Sequence, residues 1–113
     1  MFDQYEQALM RHDVVALDGF FLQSVHTIRY GLAEQNYGID AIAAYRASSL
    51  PVHPRRRLLR VEVASLSRDA ACVSAEFTDP TSPHLGRQTQ TWVRTANGWK
   101  IAVAHVSRSQ AAP

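Results

Sequence analysis

Residues 86–107 read GRQTQTWVRTANGWKIAVAHVS, and they hold two extended segments with a turn signal between them. Gln88–Arg94 and Trp99–Ser107 alternate large and small or apolar and polar side chains, as strands do. Ala96-Asn97-Gly98 joins them, and Asn-Gly favours the positive φ of a tight hairpin. Working upstream, Val73, Ala75 and Phe77 alternate with Cys72, Ser74 and Glu76. Before them Leu59, Val61 and Val63 alternate with Arg60, Glu62 and Ala64, which predicts a half-buried strand. Ser67-Arg68-Asp69 turns one of these strands into the other, and Asp79–Gly86, with two prolines, reads as a loop. The carboxyl-terminal half is therefore a run of antiparallel strands.

The amino-terminal half has a different period. In residues 2–12, Phe2, Tyr5 and Leu9 fall on one helical stripe, with Gln4, Gln7 and Arg11 elsewhere. Asp13 is placed to cap a second helix whose buried face would be Val14, Val15, Leu17, Phe20 and Phe21. Thr27-Ile28-Arg29-Tyr30 reads as a short strand ended by Gly31. A third helix spans about Ile39 to Ser49, and Pro51 and Pro54 forbid its continuation. Helices followed by long antiparallel strands give an α+β domain. A strongly curved sheet with helices across its concave side encloses a pocket, the default site of such a fold.

One domain accounts for 113 residues, read here as 1–108 with a loose tail at 109–113. The net charge is +2, from eleven arginines and the single Lys100 against ten acids. The dense cluster Arg55-Arg56-Arg57 is either a solvated strand entry or a mouth attracting anions. It has no interleaved aromatics, so no nucleic-acid partner is expected. No apolar run approaches a membrane span and no signal segment opens the chain, so no membrane association is expected. The lone Cys72 forms no bridge, in keeping with a cytoplasmic protein.

Several spellings recur together: Tyr5-Glu6-Gln7-Ala8-Leu9, Thr27-Ile28-Arg29-Tyr30-Gly31, Glu34-Gln35-Asn36-Tyr37-Gly38, Tyr45-Arg46, Gly86–Trp92, Gly98-Trp99-Lys100-Ile101 and Ala104-His105-Val106-Ser107. In this order they resemble the AtzH-like branch of the nuclear transport factor 2-like superfamily, which includes the HpxZ-type proteins of oxalurate catabolism. The resemblance runs from Phe2 to Ser107. It implies a cystatin-like cone, in which a curved antiparallel sheet and three amino-terminal helices enclose a pocket, and a homodimer through the sheet. It also implies amidase chemistry of the type that hydrolyses 1,3-dicarboxyurea to allophanate in cyanuric acid breakdown, with a catalytic tyrosine and arginine falling on Tyr5 and Arg29. There are two departures from the family pattern. The first helix starts late, and Ser49 stands where a second arginine is common.

Each site candidate has a structural alternative. Arg29 is either a bidentate carboxylate clamp or half of an internal ion pair with Glu34. Tyr5 is either a core aromatic or an oxyanion donor and general acid, the role a tyrosine plays in the ketosteroid isomerases of the same superfamily. Gln90 and Trp92 share a face and would orient a planar urea, unless Trp92 is plain core. Arg46 and Tyr37 are rim groups, with Arg46 alternatively paired to Glu34. His105 is placed on the convex face, opposite Ala104 and Val106. The histidines lack paired metal-ligand spacing, so neither metal nor other cofactor is expected. Water is the expected nucleophile, activated by a carboxylate of the protein or of the substrate. The reading is an amidohydrolase of a small anionic ureido acid. A non-catalytic anion-binding or accessory protein is the alternative, and a ketosteroid isomerase-like enzyme the third.

Overall fold

The computed structural model describes all 113 residues. Three helices precede most of the sheet: α1 (Phe2–Arg11), α2 (Val14–Gly19) and α3 (Ile39–Ser48). Asp13 caps α2, its Oδ1 accepting from the Ala16 N–H at 3.1 Å. α1 ends at His12, whose left-handed backbone (φ 54°, ψ 42°) turns the chain into α2. The sheet has six strands, β1 (Ile28–Tyr30), β2 (Gln35–Tyr37), β3 (Arg57–Ser67), β4 (Ala70–Thr78), β5 (Gly86–Thr95) and β6 (Gly98–Arg108). Their spatial order is β2-β1-β6-β5-β4-β3. All neighbours are antiparallel except β1 and β6, which run parallel with Arg29 opposite Ala104.

The β5–β6 hairpin closes where Asn-Gly predicts it. Positive φ falls on Gly98 alone (98°), so Ala96 and Asn97 turn in the ordinary right-handed sense and the glycine completes the reversal. The core lies between the helices and the concave face of the sheet. Phe2, Tyr5, Ala8 and Leu9 of α1, Leu17, Phe21 and Ile42 pack on Val73, Ala75, Trp92, Ile101 and Ala104.

Three expectations need correction, and one strand, β2, has no counterpart among them. β3 is not half-buried: Val61 and Val63 face the same side as Val73 and Ala75, yet they stay exposed, as do Leu59 and Leu66, and only Leu58 packs against the core. Val15 projects from α2 into solvent rather than into the core. β2, with only polar residues and a tyrosine, has no apolar alternation to announce it and forms by pairing with β1. The tail is not loose at its start, since the Ser109 N–H donates to the Leu85 carbonyl and the Leu85 N–H to that of Ala111.

Candidate functional site

A cavity of about 370 Å³ opens between α1, α3 and the concave sheet. Tyr5, Arg29, Arg46 and Gln90 all line it, together with Glu34, Tyr45, Arg56, Gln88 and Ala104. Sequence reasoning thus brought four of its six site residues to one place.

Tyr5 stands on the buried stripe of α1, wedged edge-to-face against Phe20, Phe21 and Trp92 with ring centroids 5.9, 6.5 and 6.4 Å away. Those contacts fix the ring and leave its hydroxyl at the cavity. Burial pushes the phenol pKa up; the Arg46 guanidinium, and more weakly Arg29, pull it back, and the net shift is upward. The group therefore stays protonated as a hydrogen-bond donor at neutral pH, and no protein group accepts its proton.

Arg29 reaches the cavity because β1 turns that residue to the concave side, opposite Asn36 of β2 and Ala104 of β6. Its Nη1 donates to Glu34 Oε1 at 2.8 Å and to Asn36 Oδ1 at 3.2 Å, and its Cζ lies 4.1 Å from the Tyr45 ring centroid. Glu34 comes so close because Gly31 has no side chain; a Cβ there would overlap the Glu34 carboxylate. Both bonds use Nη1, so Nε and Nη2 remain for a ligand.

Gln90 is fully enclosed, and its Oε1 accepts from Trp92 Nε1 at 3.0 Å. The amide is thereby oriented, with the Nε2 donors left for the cavity. Trp92 itself is core: its N–H is spent on Gln90 and its ring on Tyr5 and Phe20. Tyr37 is not at the rim. It belongs to the outer face, where its hydroxyl meets that of Tyr30 at 2.9 Å. His105 is on that outer face too, edge-on to Tyr30 at 5.6 Å. Arg46 does not pair with Glu34, which Arg29 holds.

Arg56 was missed as a site residue. It reaches from the arginine run into the floor of the cavity, where Nη1 meets Glu6 Oε1 at 2.6 Å and Gln88 Nε2 donates to Glu6 Oε2 at 3.2 Å. The triad is buried and locks α1 onto the sheet. Only the unusual density of arginines at 55–57 hinted at it. A second wall pair joins Arg108 to Asp79 at 3.1 Å. Burial raises the Asp79 pKa, but hydrogen bonds from Thr81 and the Arg108 cation outweigh it and hold the carboxyl below its usual value. No cluster of histidine, cysteine and carboxylate side chains is arranged to hold a metal.

A six-stranded curved sheet closed by three helices over one polar pocket is the nuclear transport factor 2-like, or cystatin-like, architecture. The AtzH-like family profile matches residues 1–112, and this chain belongs to the AtzH-like family. A cystatin-like fold protein from Burkholderia xenovorans is similar at 46% identity, covering 95% of this chain and 84% of its own, with a TM-score of 0.91. A protein of unknown function from the DUF3225 family of Pectobacterium atrosepticum is similar at 40% identity over 96% of this chain and 85% of its own, with a TM-score of 0.92. A ketosteroid isomerase-like protein from Erwinia carotovora atroseptica shares the fold at 19% identity, covering 95% and 89%, with a TM-score of 0.75. None of the curated proteins matches.

Proposed function

We propose that this protein is an amidohydrolase of a small carboxylated urea, of which 1,3-dicarboxyurea, yielding allophanate, is the type. The observation that carries the reading is the Tyr5 hydroxyl, enclosed, protonated and without a protein acceptor, in a cavity walled by arginines. A planar ureido acid fits a volume at the small end of ligand pockets. Tyr5 would donate to the oxyanion that forms when water adds to the N-carboxyl carbon, then supply a proton to the leaving nitrogen as the C–N bond breaks and take one back from the group that deprotonated the water; the products are allophanate and bicarbonate. Arg29 would hold the carboxylate through the Nε–Nη2 edge that Glu34 and Asn36 leave free.

Two carboxylates line the cavity. Asp79 is spent on Thr81 and Arg108. Glu34 uses one oxygen on Arg29, so its second oxygen is the better-placed acceptor of a proton from water. That Glu34 also occupies Arg29 favours a second reading, in which the pocket captures an anion without turning it over.

The discriminating assay is release of bicarbonate from 1,3-dicarboxyurea, with ammonia measured alongside for the other members of a panel of ureido acids, by the wild type, Tyr5→Phe and Arg29→Ala. Both variants should be folded and inactive; full turnover by both rejects the assignment, and binding without turnover by the wild type selects the second reading. The outer face of the sheet, with exposed Tyr37 and Val103 beside Tyr30 and His105, is the surface we propose for a homodimer. Light scattering on Tyr37→Lys would then give a smaller mass than the wild type.

A further inference from the structure

The ion pairs around the cavity are unevenly distributed. Arg29 has Glu34, Arg56 has Glu6 and Arg108 has Asp79, each within 3.1 Å. Arg46 has nothing. Its residue is 5% exposed, it lines the cavity, and its Nε and Nη2 are buried without a hydrogen-bond partner. No carboxylate comes within ion-pair distance of it. The carboxylate it influences, Asp18 at the end of α2, is likewise without a partner at Oδ1. Burial raises the Asp18 pKa and the Arg46 charge only partly offsets that.

A buried guanidinium with two idle donors is expensive for a fold to keep. Helix α3 nevertheless presents it between the Tyr5 phenol and the Tyr45 ring, whose centroid lies 5.8 Å from Cζ. Arg29, in contrast, is already neutralised by Glu34 and fixed from two sides.

We propose that Arg46 is the anion seat of the pocket, taking a ligand carboxylate on the part of its guanidinium that lines the cavity beside Tyr5, while Tyr5 and Gln90 Nε2 read the adjacent carbonyl. The inference rests on the ligand class of the amidohydrolase reading and moves the primary charge contact from β1 to α3. Arg29 then serves as the second cation, engaged when the ligand carries a second carboxylate. It assigns the ligand a carboxylate bonded to a planar amide or urea carbonyl or one nitrogen away from it, since the seat and the two carbonyl donors line one cavity.

The test is calorimetric titration of the full chain with oxamate, a carboxylate beside an amide, and with oxamide, its neutral counterpart. The wild type should bind oxamate and not oxamide. Arg46→Met should weaken oxamate by about 100-fold, since it removes a buried charge-assisted pair. Arg46→Lys should recover part of that loss, and Arg60→Met, on the exposed strand, should bind like the wild type. Without ligand, Arg46→Met should melt no lower than the wild type, because it deletes an unpaired buried charge rather than half of a pair. Absence of saturable oxamate binding by the folded wild type overturns the proposal. So does unchanged binding by Arg46→Met, as does a large fall in its melting temperature, which would make Arg46 a structural partner of Asp18. Arg46-dependent binding without bicarbonate or ammonia release from any ureido acid would leave the seat standing and remove the hydrolase reading; turnover unaffected by Arg46→Met would do the reverse.

Discussion

Replacing Arg56 by methionine should sharply lower the stability of the fold. Arg56 and Glu6 are fifty residues apart in sequence, and their side chains are 4% and 10% exposed where they meet at 2.6 Å. Methionine keeps most of the length and the apolar contact with Phe77, whose ring lies 4.5 Å from the guanidinium carbon. What it removes is the charge, leaving the Glu6 carboxylate buried with only Gln88 to bond. Breaking one partner of such a pair costs about 3–5 kcal/mol. Against a total of about 5–15 kcal/mol for a domain, that is a large fraction of the stability. At about 4 °C per kcal/mol for a chain of this size, the melting midpoint should fall by about 12–20 °C. Glu6→Gln in the Arg56→Met background should recover at least half of the loss, because the unpaired charge disappears. Thermal and urea unfolding of the four proteins closes the cycle. An Arg56→Met protein melting within about 3 °C of the wild type would refute the argument, since a pair worth that little is one that water still reaches.

The other expectations concern the cavity. Tyr5→Phe keeps the ring contacts with Phe20, Phe21 and Trp92, so it should fold normally and lose about 10²–10³-fold in kcat, measured as bicarbonate release from 1,3-dicarboxyurea. The raised phenol pKa carries a sign: the protonated form is the one folding favours, so its contribution is complete below pH 10.0 and is lost as pH rises through the higher folded value. The alkaline limb of a stability profile should accordingly be shallower in Tyr5→Phe. Asp79 works the other way. Its lowered pKa gives stability present above 3.8 and lost as pH falls through the lower folded value, and Asp79→Asn should flatten the acid limb of the same profile. Gly31→Ala should push Glu34 off Arg29 and reduce turnover while leaving the far-ultraviolet spectrum unchanged, and wild-type kinetics in that variant would disprove the close approach.

The hairpin at Asn97-Gly98, the Asp13 cap and the proline-limited end of α3 were legible because each depends on a few adjacent residues. Tyr5 and Arg29 could be placed by the resemblance and by the helical and strand periods around them. Tyr37 could not. A three-residue strand such as β2 gives no alternation from which to tell its two faces apart, and pairing with β1 alone sets Asn36 inward and Tyr37 outward. The Gln90–Trp92 pair was read onto the right face, but that one side chain uses up the other's N–H is a matter of rotamers, invisible in spacing. The Glu6–Arg56–Gln88 triad joins three distant segments, and no local pattern could announce it. β3 misled for a physical reason: alternation shows that one face is apolar, not that anything in the same chain covers it.

Arg29 sits on a strand of only three residues, bonded on one side to the equally short β2 and on the other to the sole parallel neighbour in the sheet. The four long strands form a frame that does not depend on this outpost. Residues 28–37 therefore behave as an exchangeable cassette. Substitutions there can re-aim a cation at the cavity while the scaffold stays intact, so one frame can be retuned to acids of different size by editing ten positions at its margin.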